Sequence, residues 1–326
     1  MSNPQSAIRD PQSQDGVLVI DKPEGLTSHD VVARVRRILK TRRVGHTGTL
    51  DPFATGVLVV CVNRATRLVQ FLAGDEKEYF ATMRLGFSTD TGDFTGIPKT
   101  PVTDARNITS EIIQGTFSHF LGHIKQVPPM YSAKKVGGVK LYELARRGEE
   151  IERAPVEVEI KKLELFKQTG DSTSGSAQAS AQNQSGEFSF RVVCSSGTYI
   201  RALGEEIGRL LDVGAHLTGL RRIRAGSCSL DSAVTLEELA DLAQSGQTDR
   251  VIISMADAIA MPTLQVGEEE RKRISHGRSI EHPEKKQADY GVGALVKVCD
   301  KKNQLIAIAQ LDEGKILWRP KVVLID

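Results

Sequence analysis

Cysteine is scarce in this sequence and poorly placed for chemistry. Cys61, Cys194, Cys228 and Cys299 lie far apart with no CxxC pair. That argues against a zinc site and fits buried or free thiols in a reducing compartment, the cytoplasm by default. An excess of one charge is lacking too: 43 Lys and Arg against 41 Asp and Glu leave a net +2, so overall charge names no partner and only local clustering can. No apolar run approaches the ~18 residues needed to span a bilayer. The opening "MSNPQSAIRDPQSQDG" has neither the basic start nor the apolar stretch of a secretory signal, and residues 1–15 read as a disordered tail. The histidines, His29, His46, His119, His123, His216, His276 and His282, show no metal-site spacing. What 326 residues do allow is a sizeable core and, at roughly 150 residues per domain, two domains.

"GVLVIDKP", 16–23, is a short apolar run closed by Lys-Pro, the mark of a buried strand entering a turn. "TSHDVVARVRRILK" follows with a Ser/Thr cap and with Val31, Val35, Ile38 and Leu39 at helical spacing, its arginines mostly elsewhere on the helix. "GVLVVCV", 56–62, and "EYFATMRLG", 78–86, read as strands, and "VEVEIKKLELF", 156–166, alternates like a half-exposed antiparallel one. Residues 169–185, "TGDSTSGSAQASAQNQS", have almost nothing to bury and read as a flexible insertion. "EFSFRVVCSSGTYIRALGEEIGRLL" supplies a strand, a turn and a helix whose buried stripe is Ile200, Leu203, Ile207, Leu210 and Leu211. From about 258 short strands are separated by Gly and charged turns, which predicts a small C-terminal β-barrel. The larger part mixes helices and strands without βαβ alternation, so the fold class is α+β.

"VGHTGTLDPFATGVLVV", 44–60, sets His46 and Asp51 among glycines, threonines and a proline. A carboxylate ionised at neutral pH, biased to extended backbone by the following proline and approachable past glycines, can be a nucleophile. A turn aspartate bonding its own backbone is the commoner use of such a text. The His-x4-Asp spacing also occurs in glycerolipid acyltransferases, though nothing here looks membrane-facing. A loop histidine can wedge against a base or simply be solvated. Tyr79 and Tyr199 are strand and helix-entry aromatics, for which core packing is the commoner use. Arg201 falls at the start of a helix, where the positive helix end disfavours a cation, which points to an anionic partner. "RRILKTRR", "SAKKVGGVK" and "GLRRIRAG" together suggest a polyanion-binding surface.

From Gly16 to the end, apart from 169–185, the chain resembles the TruB family, bacterial tRNA pseudouridine synthases that modify uridine 55 in the T loop. The resemblance rests on "DKPEGLTSHDVV", "RVGHTGTLDPFATGVL", "ATRLVQFLAGDEKEY", "STDTGDFTG", "QVPPMYSAKKVGGVKLYELARRG", "SSGTYIRALGEEIG" and "GAHLTGLRRIRAG", in one order. It implies a pseudouridine synthase core on a mixed, largely antiparallel sheet flanked by helices over 16–257, and a PUA-like RNA-binding domain over 258–326. It also implies that Asp51 is the nucleophile or its electrostatic equivalent. Arg201 would pair with Asp51, and Tyr79 would stack on the target base and help the late proton step at C5. Tyr199 and Leu220 would line the uracil pocket, His46 would fill the space left by the flipped nucleotide, and Lys22 would support the active-site loop or a nearby phosphate. No cofactor and no metal is implied. Phe53, Val59-Val60 and Ile223 depart from the common family text without touching Asp51, Tyr79 or Arg201.

The implied partner is the T stem-loop of tRNA, met by a monomer with no guide RNA, no membrane and no obligate protein partner. Two other readings compete: an RNA-binding, tRNA-folding chaperone with an idle catalytic set, and the guide-RNA-dependent relative that shares the aspartate loop. The short chain, the "PPMYSAKK" segment and the lack of lysine-rich tails favour the stand-alone enzyme.

Overall fold

A computed structural model describes residues 14–166, 186–281, 291, 293–312 and 317–325. The insertion expected at 169–185 lies outside these residues, as do residues 1–13 of the expected tail. Residues 14 and 15 are not tail-like: the Gln14 carbonyl accepts from the Asn63 amide and the Asp15 carboxylate from the Arg64 N–H.

The chain begins β1 (Gly16–Lys22), α1 (Ser28–Ile38), β2 (Val44–His46), β3 (Thr55–Val62), α2 (Val69–Leu72), β4 (Lys77–Leu85), α3 (Ser110–Phe117) and β5 (Gly122–Gln126). A small hairpin, β6 (Lys135–Val136) and β7 (Val139–Lys140), leads into α4 (Leu141–Ala145), then β8 (Val156–Leu165), β9 (Glu187–Cys194), α5 (Ile200–Leu210), β10 (Ala215–Ala225) and β11 (Cys228–Ser229). α6 (Leu236–Gln244) and α7 (Met255–Ala258) connect to β12 (Thr263–Gln265), α8 (Glu268–Ser275), β13 (Ile280–Glu281), β14 (Leu295–Cys299), β15 (Leu305–Leu311) and β16 (Leu317–Val323).

The large sheet runs β1-β3-β10-β4-β9-β8-β5, with β2 on β3 and β11 on β10. Among these pairs β3–β10 is parallel and the rest are antiparallel. The apolar runs of β1 and β3 are continuous because both faces are buried. Leu18, Ile20, Leu58 and Val60 meet Val31, Val35 and Leu239 of α1 and α6, while Val17, Val19, Val57 and Val59 join a cluster with Cys299, Ile308 and Leu324. The C-terminal segment therefore packs on the back of the sheet rather than hanging from a linker. It is a five-stranded sheet, β12-β14-β15-β16-β13, curled as a half-barrel around the fully buried Trp318.

α5 buries Ile200, Leu203 and Ile207 against Met83 and Leu217, as its spacing predicts. Leu210, expected in that stripe, is 46% exposed at the last turn. Gly56 in β3 has φ +97°, and a Cβ there would fall 2.2 Å from the Arg222 carbonyl oxygen. Only glycine lets the parallel pair β3–β10 close at this point.

Candidate active site

The loop between β2 and β3 carries Asp51, and its backbone is clamped from several sides. Ser28 Oγ accepts from the Leu50 N–H at 2.8 Å and also contacts the Leu50 carbonyl at 3.2 Å. The Pro52 carbonyl accepts from the Gly25 N–H at 2.8 Å and from Lys22 Nζ at 3.2 Å. On the other flank Arg222 donates to Gly48 O at 3.1 Å and to Val57 O at 2.6 Å. A carboxylate on a loop so held has little freedom to wander, which is the condition for a positioned nucleophile.

Arg201, second residue of α5 and 4% exposed, reaches across to that carboxylate. Nε lies 2.8 Å from Asp51 Oδ2 and Nη2 3.1 Å from Oδ1, a two-pronged pairing. The remaining donors are also used: Nη1 on Thr91 O at 2.6 Å, Nη2 on Tyr131 O at 2.7 Å, with Asp93 Oδ2 3.8 Å from Nη1. Asp93 is itself fixed by Thr91 and Thr95 hydroxyls at 2.9 and 2.5 Å. Gly92, at φ +72°, lets that loop run close to Arg201, since a Cβ there would stand 3.3 Å from Arg201 Cβ. The cation disfavoured by the helix end is thus balanced by Asp51 and Asp93 together. Asp51 keeps its side chain one-third exposed (33%), open to a reactant.

Beside the pair opens a cleft of ≈ 530 Å³ that brings together Asp51, Tyr79, Tyr199, Arg201 and Leu220. Tyr79 on β4 and Leu220 on β10 are each 8% exposed, and Tyr199 immediately precedes α5, held by Gln126 through its N–H and carbonyl at 2.7 and 3.0 Å. Burial pushes the Tyr79 phenol up, so it enters any reaction protonated, with nearby Arg222 acting the other way. Asp51 is the only carboxylate among the described residues that line the cleft, against Lys77, Lys134, Arg201 and Arg222. Lys77, held by the carbonyls of Ala73 and Asp75, is brought down to about 8 by burial.

Two expected site residues lie off the cleft lining. Lys22 is fully buried and spends its ammonium on Pro23 O at 2.8 Å and Pro52 O, which fits support of the loop and not a phosphate contact. Burial lowers it to about 8, opposed by the Asp51 charge. His46 ends strand β2 rather than sitting in the loop, with its ring edge-on to His29 at 5.5 Å and its buried Nδ1 without a partner. Burial, then the charges of His29 and Arg222, hold it at about 4. In the unfolded chain it titrates near ~6.5. As pH falls from about 6.5 toward about 4 the unfolded state therefore takes a proton that the folded state refuses, and stability drops. His46→Asn should flatten that acid limb in denaturant titrations, and an unchanged slope would contradict the assigned environment.

The basic text "GLRRIRAG" does not form the expected polyanion surface. β10 is paired on both sides, so its arginines turn inward or meet acids: Arg221 pairs with Asp21 at 2.7 Å, Arg224 with Glu76 at 2.6 Å and Glu78 at 3.0 Å, and Arg222 is buried. Sequence reasoning placed none of Ser28, Asp93 and Arg222 at the catalytic loop. Asp93 lies in the quoted "STDTGDFTG", the available signal, whereas Ser28 and Arg222 are visible only once the strands pair.

No group of three or more His, Cys, Asp and Glu placed to hold a metal occurs among the described residues, and all four cysteines are buried free thiols. No helix of the described residues is long and apolar enough to cross a membrane.

Against known proteins, residues 36–200 match the TruB family pseudouridylate synthase N-terminal domain and 201–260 the tRNA pseudouridylate synthase B C-terminal domain. The tRNA pseudouridine synthase B of Geobacter sulfurreducens is 40% identical over 93% of this chain and 95% of its own. That of Streptomyces coelicolor is 42% identical over 92% and 95%. Among solved structures, a Cbf5-Nop10-Gar1 complex aligns with TM-score 0.71 and 27% identity over 100% of this chain and 91% of the other. An H/ACA RNP bound to a substrate RNA containing 2'-deoxyuridine aligns at 0.69 and 26%, over 95% and 85%. The described architecture, the Asp51–Arg201 pair and these matches agree: the chain belongs to the TruB family of pseudouridylate synthases.

Proposed function

We propose that this protein isomerises uridine to pseudouridine in tRNA, at position 55 of the T loop, acting alone and as a monomer in the cytoplasm. The observation that carries the reading is the two-pronged Asp51–Arg201 pair at a cleft with no second carboxylate among its described lining residues. The isomerisation breaks the bond from C1′ to N1 and forms one from C1′ to C5; N1 gains a proton and C5 loses one, so no cosubstrate is consumed. Retaining glycosidases carry a second acid that later activates water. Here the base must recombine, and such an acid would divert the intermediate to hydrolysis.

In this reading Arg201 keeps Asp51 aimed, Tyr79 stacks on the base and serves the C5 proton step, and Tyr199 and Leu220 flank the uracil. Extruding the nucleotide costs a few kcal/mol, and His46, neutral and close to the loop, fills the gap it leaves. Residues 16–257 form the catalytic domain and 258–326 the PUA-like RNA-binding domain, although the two share a hydrophobic cluster. The guided complexes among the structural neighbours are less similar, at 26–27%, than the named tRNA enzymes at 40–42%, which supports independence from a guide.

RNA contact is supported by exposed Lys40, Arg42 and Arg43, which make no ion pair among the described residues and line a ≈ 590 Å³ concavity directly before β2 and His46. If they grip phosphates, affinity for tRNA should fall about 20- to 40-fold between about 50 and 200 mM salt, the loss for three contacts. A flat response in a filter-binding series would contradict this. The reading itself is tested with a tRNA transcript tritiated at uracil C5: tritium release is expected, and release persisting when uridine 55 is replaced by cytidine would move the target elsewhere.

A further inference from the structure

Arg222 is the one cation of β10 without a carboxylate. Its strand neighbours Arg221 and Arg224 form ion pairs, whereas Arg222, 2% exposed, has none among the described residues. A guanidinium stays charged in proteins, and burying one unpaired is costly, so the position demands a reason. All its contacts are neutral oxygens, and they belong to the site. Nε and Nη2 hold Val57 O at 2.6 Å and Gly48 O at 3.1 Å, the two flanks of the catalytic loop. The Tyr79 phenol lies close enough for the guanidinium to oppose the burial that raises it, and both side chains line the cleft. Strand register makes this possible: Arg222 stands opposite Tyr79 on β4 and opposite Gly56 on β3, and directly opposed residues present their side chains to one face.

We infer that Arg222 is a positioning residue that holds the Tyr79 phenol against the catalytic loop and fixes where its oxygen meets the base. Tyr79, Leu220 and Arg222 lie on one patch of the β4–β10 pair, so the device faces the cleft. An ammonium could not hold both carbonyls and also face the phenol, which is why arginine suits the place. The inference rests on the cleft being the uridine site.

The experiment is a double-mutant cycle of Arg222→Gln with Tyr79→Phe, read by single-turnover conversion, RNA affinity and thermal melting. Alone, Arg222→Gln should slow conversion about 100-fold, the scale of a misplaced reacting group, with affinity within about twofold. In the Tyr79→Phe background it should cost no more than about threefold. An equal loss in both backgrounds would make Arg222 a loop clamp only and overturn the inference. A second readout needs no activity: the tyrosine Cζ resonance missing in Tyr79→Phe should shift in Arg222→Gln at neutral pH, and an unmoved signal refutes the contact. Failure of the native protein to convert any tRNA would sink the functional reading while leaving this signal to decide the contact. If Arg222→Gln does not fold, Arg222→Lys enters the same cycle.

Discussion

Asp51→Asn should bind the T arm about as well as the native protein and convert none of it. The swap keeps the side chain's shape and removes its charge, so RNA contacts made elsewhere persist, while the group that acts at C1′ or on the base is gone. Removing a nucleophile in enzymes of covalent mechanism costs roughly 10⁴- to 10⁶-fold, and the same scale is expected here. Because Arg201 donates to both carboxylate oxygens at 2.8 and 3.1 Å, the amide nitrogen must also face a donor, and the pair opens on one side. Single-turnover conversion with excess protein, beside a binding isotherm, separates the two effects. A rate within about tenfold of native would remove Asp51 from the reaction, since so small a loss is worth only ~1.4 kcal/mol of barrier.

The second large effect is at Arg201. Arg201→Lys keeps a positive charge but replaces a planar fork by a point. The fork holds both oxygens of Asp51, the carbonyls of Thr91 and Tyr131, and stands 3.8 Å from Asp93. An ammonium can satisfy about half of these, leaving buried acceptors without donors at ~1–3 kcal/mol each. We expect a loss of about 10³-fold in single-turnover rate together with a lower melting temperature. Near-native conversion would mean that the alignment of Asp51 does not depend on this pair.

The elements legible in the sequence are those whose burial is simple. β1 and β3 declare themselves because both faces are covered, and α1 because Thr27 and Asp30 cap it reciprocally while Val31 and Val35 face the core. Arg201 is legible as a cation at the wrong helix end, which calls for an anion. Its partner is 150 positions away and could be named from the chain only through the family resemblance. Arg222 was not legible: in a text of three arginines it reads as surface, and its burial follows from β10 pairing with β3 in parallel and β4 in antiparallel, a choice local pattern does not reveal. Leu210 misled for the opposite reason: Leu211 continues the buried stripe against the core, and Leu210 beside it lies off that face, 46% exposed. The shared cluster of Val17, Val57 and Ile308 is likewise invisible to any reading that cuts the chain at residue 258.

The central claim, a stand-alone synthase driven by one carboxylate, is met most directly by incubating the protein with a synthetic T-arm stem-loop and nothing else, then digesting to nucleosides and quantifying pseudouridine, with Asp51→Asn in parallel. The account predicts conversion by the native protein and none by the variant. Tight binding of the stem-loop by the native protein with no pseudouridine formed would contradict it, leaving an RNA-binding protein whose catalytic set is idle or waits for a guide.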